Sequence, residues 1–298
     1  MFGVMMIFRE LRRGLKPFRL MSLLLTYSLG VGLVQYVDEI HSWSDVWLGG
    51  IFLALVSLGV EYLLLLQPLE LQNKWLKENS PVEAQQFRLI SALLSGTFLT
   101  VAITVFIGWM LEEVLWQGFV FLLLIMILGY FLYYLSRTKV AWRSFQILFE
   151  SILFVIIPPA LAFFIQSQDL HRLLTLVVIG LVPAYIAYRL LTILRNYGSD
   201  QKNEIKNIVT EIGWERTMTL HNALILMTFL FYAVTTFLGF PWFLLWPVFL
   251  AFPIGLLEIW LMERVRRGGK PLWTVMRFAT ACVFFIPMYL IGLAFWIR

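Results

Sequence analysis

The sequence predicts an all-α polytopic membrane protein: a bundle of nine transmembrane helices with a cavity opening to the cytoplasm. Three observations carry that expectation. Of 298 residues, 60% are hydrophobic and only 14% are charged, against roughly 25% in an average soluble domain. The apolar residues fall into nine runs of membrane-spanning length. The basic residues gather in alternate connections between those runs. Mean hydropathy is +0.83. A soluble enzyme of this size could not cover that much apolar surface, because over half of a folded surface is already apolar. A disordered tail protein and a secreted disulfide scaffold are excluded by the same composition.

The runs are Leu20–Tyr36, Val46–Leu66, Leu89–Met110, Val114–Leu135, Phe145–Ile165, Leu173–Leu194, Met218–Leu238, Pro241–Leu261 and Leu272–Trp296. Each is close to the ~20 residues that a helix needs to cross ~30 Å of hydrocarbon. Transmembrane strands would be ~10 residues long with alternating polarity, and no such alternation occurs. Helices follow, because backbone groups in lipid must be satisfied within their own segment. The first run is the shortest and holds Gly30 and Gly32. It follows a basic stretch but no small-residue cleavage site follows it, so it reads as an uncleaved helix. Residues 1–19 mix Phe, Ile and Leu with five cations, which suits a helix lying in the cytoplasmic interface. The whole chain, 1–298, reads as one transmembrane domain.

Charge then sets the expected orientation. Arg9, Arg12, Arg13, Lys16 and Arg19 precede the first run. Lys74, Lys77 and Arg88 follow the second, and Arg137, Lys139 and Arg143 the fourth. Arg195, Lys202, Lys206 and Arg216 follow the sixth, and Arg264, Arg266, Arg267 and Lys270 the eighth. Together these are nineteen of the 23 Lys and Arg. The opposite connections hold only Arg172 and Arg298. The positive-inside rule therefore places the N-terminus in the cytoplasm and the C-terminus outside, in a membrane of the bacterial inner-membrane type. The net charge of +5 belongs to this asymmetry and not to nucleic-acid binding. The single cysteine, Cys282, lies in an apolar run and forms no intramolecular disulfide.

Two cytoplasmic loops are long, residues 67–88 and 195–217. Each follows an even-numbered helix, four helices apart, which suggests a degenerate internal repeat. Five charges fall inside the runs: Glu61, Glu150, Arg189, Glu258 and Arg277. All lie three to five residues from a basic end, a depth of roughly 5–8 Å. Arginines at that depth can snorkel. Three glutamates at one depth call for a cytoplasm-facing polar chamber, or else for local pairing, such as Glu258 with Arg264 or Arg189 with a neighbouring helix. No phosphate-binding GxxxxGK[ST], no GxGxxG and no HExxH occurs. His41, His171 and His221 lie on different helices, so a histidine metal site is not expected. Trp43, Trp47, Trp116 and Trp242 sit at run ends as interface anchors.

The loop after the sixth helix reads LRNYGSDQKNEIKNIVTEIG, Leu194 to Gly213. It resembles the second acidic motif of the UbiA-type intramembrane prenyltransferases, with Asn196 and Asp200 at the DxxxD positions. Lys202 and Lys206 match the basic positions and Gly213 the terminal glycine. YYLSRTKVAWRSF after the fourth helix is similar to the family's Tyr-rich turn, and IIPPALAFFIQSQ and the helix count also match. In the register of the first motif, LELQNKWLK, Glu70 stands at the first Asp, Asn73 at the second and Lys77 at the third. The resemblance implies transfer of an isoprenoid chain from a prenyl diphosphate to an aromatic or lipid acceptor. It implies magnesium held by Glu70 and Asp200, since such ions bridge carboxylates and diphosphate oxygens. Asn73 and Asn196 would hydrogen-bond diphosphate or water. Lys77, Arg137, Lys139 and Lys202 would contact phosphate as point charges. Because several family Asp positions hold Asn or Lys here, a non-catalytic relative binding an isoprenoid, a lipid or a membrane partner stays open. So does a small-solute transporter on an unrelated bundle.

Overall fold

The computed structural model describes residues 17–38, 40–66, 81–111, 117–167 and 171–297. Among them, nine helices are long and apolar enough to cross a membrane. They are α1 (Pro17–Val37), α2 (Trp43–Leu65), α3 (Pro81–Leu111), α4 (Gln117–Thr138), α5 (Val140–Ser167), α6 (Arg172–Leu194), α7 (Trp214–Phe237), α8 (Trp242–Arg266) and α9 (Trp273–Ile297). No strand occurs among the described residues. The nine apolar runs correspond one to one with these helices. Several helices outrun their apolar run, because a helix continues beyond hydrocarbon wherever its backbone bonds stay internal. α8 extends to Arg266, which puts Glu258 eight residues from the end, roughly 12 Å. It is thus deeper than its apolar run implied.

α1, α5, α6 and α9 form the packed centre, while α2 carries α3 and α6 carries α7. α3 turns Leu89, Leu93, Ile103 and Ile107 outward, as a lipid-facing helix does. The centre is tightened where α1 meets α5. Phe154 O would ordinarily accept from residue 158, but Pro158 has no N–H. A π-helical turn, Ile152–Ile156, widens α5 there, and such turns often relieve a helix that cannot keep its regular bonds. Thr26 Oγ1 of α1 lies 3.0 Å from Phe154 O, the carbonyl that the proline leaves free, and 2.7 Å from Ser22 O in its own helix. One turn further along α1, Gly30 rests directly on the Pro159 backbone.

The end of the bundle carrying the connections 137–143, 195–216 and 264–270 is its basic end. At the other end Tyr27 OH donates to Val46 O at 2.7 Å, and Trp109 Nε1 donates to Asp45 Oδ1 at 3.2 Å. Gln166 there exchanges hydrogen bonds with the backbone of Ser42, at 3.0 and 3.1 Å.

Candidate functional site

Three features have chemical content: a buried ionic network and the loop after α6, both toward the basic end, and an apolar groove within the apolar layer. The network begins at Arg19. Sequence reading assigned this residue to an interfacial segment, whereas it lies in the first turn of α1 and is 2% exposed. Its guanidinium donates to Glu61 of α2, to the Tyr133 hydroxyl of α4 and to Glu150 of α5. Arg189 of α6 pairs with the other oxygen of Glu150, and its Nη2 donates to Oε1 at 3.2 Å. Gln146 Nε2 also donates to Oε1, at 2.6 Å. Tyr133 OH donates to Glu61 at 3.0 Å, and the guanidinium lies 5.3 Å from the Tyr133 ring centre and 5.9 Å from that of Phe154. Two cations and two anions from α1, α2, α5 and α6 therefore form a neutral cluster, the arrangement that makes buried charge tolerable in lipid.

This changes the sequence reading of the three glutamates. Glu61 and Glu150 do converge, but on arginines that occupy the space between them. Glu258 stands apart. Its partner is His221 of α7, both side chains fully buried, with Nε2 and Oε1 3.7 Å apart. That separation is too long for a hydrogen bond, and Thr280 beside them donates to Met276 O instead. Nor does Arg189 snorkel: it turns inward. Local pairing, the other reading open from sequence, describes the Arg189–Glu150 cluster; Glu258 faces His221 and not Arg264.

The groove lies between α5, α6 and α7 and encloses about 460 Å³. Ile156, Ala160, Ile179, Val182, Ile186 and Phe231 are among the residues that line it, and none of its lining residues is charged. Along α6 the lining positions 175, 179, 182 and 186 are spaced by four, three and four residues. Arg189 is the next position of that stripe, so one helix face runs from groove to ionic network. Pro183 also borders the groove, and its missing N–H leaves a carbonyl of the preceding turn without its helical bond.

After α6 the chain makes two short helical turns, Tyr197–Lys202 and Ile208–Ile212. Asn207 caps the second: its Oδ1 accepts from the N–H groups of Val209 and Thr210 at 3.0 Å. The Asn207 side-chain N–H donates to Asp200 Oδ2 at 3.0 Å. Asp200 thus fastens the loop that follows it. Burial pushes its carboxyl above the ordinary value, with hydrogen bonds from Asn207 and Ser199 pulling the other way. A raised acid binds its proton more tightly in the folded chain. Its contribution therefore favours folding at acid pH and is lost as pH rises through the folded value. Asn196 precedes the first turn without a side-chain capping bond. Lys139 and Lys202 are exposed, and Arg137 is half-buried with its Nε unpartnered. Ser144 donates to Glu211 at 2.6 Å, tying the connection after α4 to this loop.

Glu70, Asn73 and Lys77 lie outside the described residues. Among the described residues no three His, Cys, Asp or Glu side chains group together, and Asp200 already accepts from Asn207. Of the two carboxylates that the resemblance implies for magnesium, only Asp200 is among the described residues, and no chemical step is assigned to such an ion. Sequence reading singled out Glu61, Glu150 and Arg189 but missed their partners Arg19 and Tyr133, for which the one signal was that glutamates inside apolar runs need a cation. Compared with known proteins, the chain matches no family model and no curated protein.

Proposed function

We propose that this chain is an integral membrane protein of UbiA-like architecture that holds an isoprenoid chain in the α5–α6–α7 groove. The observation that carries the reading is the groove itself. It is apolar along its length, within the ~300–1,000 Å³ of small-molecule sites, and heads toward Arg189 and the basic loops. A polyprenyl tail has the chemistry of that lining, and its diphosphate would lie beside Arg137, Lys139 and Lys202. Prenyl transfer to an aromatic or lipid acceptor is the second reading, favoured by Asp200 standing beside Lys202 at the basic end. In it Asp200 and Glu70 would carry magnesium.

Calorimetric titration of the purified protein with a prenyl diphosphate, with and without magnesium, separates the two. Ala160→Phe fills the groove and is expected to weaken binding about tenfold or more under either reading. Unchanged affinity in that variant would sink the groove as the binding site. Asp200→Asn retains an oxygen for Asn207 and removes the desolvated charge. Its melting temperature at pH 7 is therefore expected to equal or slightly exceed that of the parent. If the protein only binds, Asp200→Asn also leaves affinity unchanged with or without magnesium. Loss of a magnesium-dependent increment together with diphosphate release would establish transfer instead.

The reading also places the basic end in the cytoplasm. A reporter fused after Arg298 is then expected to respond as external, and one fused in the loop after α6 as cytoplasmic. The reverse pattern would overturn the orientation, and a shared side for Arg298 and that loop would overturn the helix count between them.

A further inference from the structure

At the basic end of α8, away from the groove, a pocket of about 310 Å³ is lined by Trp260, Glu263, Arg264, Arg267 and Gly269. The turn that closes it depends on two glycines. Gly268 has φ +87°, and a Cβ on Gly269 would stand 2.8 Å from both the Arg264 carbonyl oxygen and its Cγ. The charges do not cancel. Glu263 is the acid, and Arg266 is its nearer partner at 3.1 Å, against 3.5 Å for Arg267. Arg266 also donates to Thr219 at 2.8 Å, which draws it out of the pocket. The Arg264 carbonyl accepts from Gly269 N–H at 3.0 Å, but its guanidinium makes no ion pair or hydrogen bond among the described residues. Two guanidinium groups are left to face one shared carboxylate.

The same helix face continues into the apolar layer. Pro253, Leu257, Trp260 and Arg264 are spaced by four, three and four residues, a single stripe of the α-helix Phe252–Arg266, with Leu250 in the 3-10 turn before it and Arg267 at its C-cap. All six are exposed, Leu250 and Trp260 at 60% and 58%. The stripe thus grades from aliphatic, through an indole at the level where tryptophan anchors in membranes, to paired arginines. A guanidinium binds phosphate oxygens bidentately, and basic pockets at a membrane surface favour anionic headgroups.

We propose that this face is a site for one anionic phospholipid, its phosphate between Arg264 and Arg267 and its acyl chain along Leu257 and Leu250. The charge left over in the pocket and the matching polarity gradient select an anionic lipid over a zwitterionic one.

The test is native mass spectrometry of the full chain in uncharged detergent, titrated with phosphatidylglycerol, with phosphatidylcholine, and with inorganic phosphate. Phosphatidylglycerol is expected to bind preferentially, and Arg264→Gln/Arg267→Gln to reduce that preference about 30-fold. Arg195→Gln/Arg216→Gln removes the same charge elsewhere at the basic end and is expected to leave it unchanged. Melting in lipid-free detergent reports whether the pocket variant is folded. If it is not, Arg264→Gln alone, which breaks no pair, is expected to lose about fivefold. Equal binding of the two lipids, or equal losses in pocket and control variants, would overturn the proposal. So would full competition by inorganic phosphate at equal concentration, which would mark an anion site without a lipid. None of these results depends on what occupies the α5–α6–α7 groove.

Discussion

Glu150→Gln is expected to destabilise the purified protein by about 3–5 kcal/mol, the cost of breaking a buried ion pair by removing one partner. Glu150 is fully buried and receives Arg19, Arg189 and Gln146 at once. Glutamine preserves the shape and one acceptor but leaves Arg189 without its anionic partner and Glu61 as the single negative charge against two buried guanidinium groups. Neither arginine can leave easily, since their side chains are 3% and 12% exposed. Unfolding in detergent followed by circular dichroism would measure the loss. The companion variant is Glu150→Gln/Arg189→Met, which removes one charge of each sign and restores a neutral Arg19–Glu61 pair. It is expected to recover about 0.5–3 kcal/mol relative to the sum of its single changes, the usual coupling of residues in one network. Strict additivity would mean that the cluster is not electrostatically coupled.

The same cluster shows what a sequence conveys and what it does not. Spans were legible because lipid imposes a length and an apolar composition on every crossing helix. Glu61 and Glu150 were conspicuous because an isolated carboxylate in such a helix is unfavourable. Their partner was hidden: Arg19 sits among other cations in sequence, and its acids lie 42 and 131 residues away. Nothing local distinguishes it from the arginines that precede it. Glu258 was assigned too shallow a depth, since hydropathy stops at Leu261 while the helix does not. The groove left no sequence trace at all. Its lining is ordinary aliphatic membrane sequence, and only the packing of α5, α6 and α7 separates a groove from a filled interface. For Asp200 the motif position was legible, but the hydrogen bond from Asn207 depends on a turn seven residues long.

Gly30, which the sequence shows only as a glycine in the shortest span, sits where α1 meets the backbone of α5. A Cβ there would lie 2.5 Å from Pro159 O, 2.6 Å from Pro159 Cα and 2.9 Å from the Ala162 Cβ. Two of these neighbours are backbone, which cannot swing aside as the end of a side chain can. Gly30→Ala must therefore move α1 away from α5. Small residues at helix contacts are what allows close packing in membranes, where burial itself supplies no drive. The seam that would open also carries the Thr26 hydroxyl to Phe154 O and, eleven residues along α1, the Arg19–Glu150 pair. The expected cost is about 1–3 kcal/mol from overpacking alone. Gly96→Ala supplies the control, since nothing lies within 4 Å of a Cβ at that position. There the gain in helix propensity acts alone, so stability is expected to hold or to rise by up to about 1 kcal/mol. Melting of both variants in the same detergent checks the contrast. If Gly30→Ala melts together with Gly96→Ala, the α1–α5 seam is looser than its contacts require, and the ionic network does not depend on it.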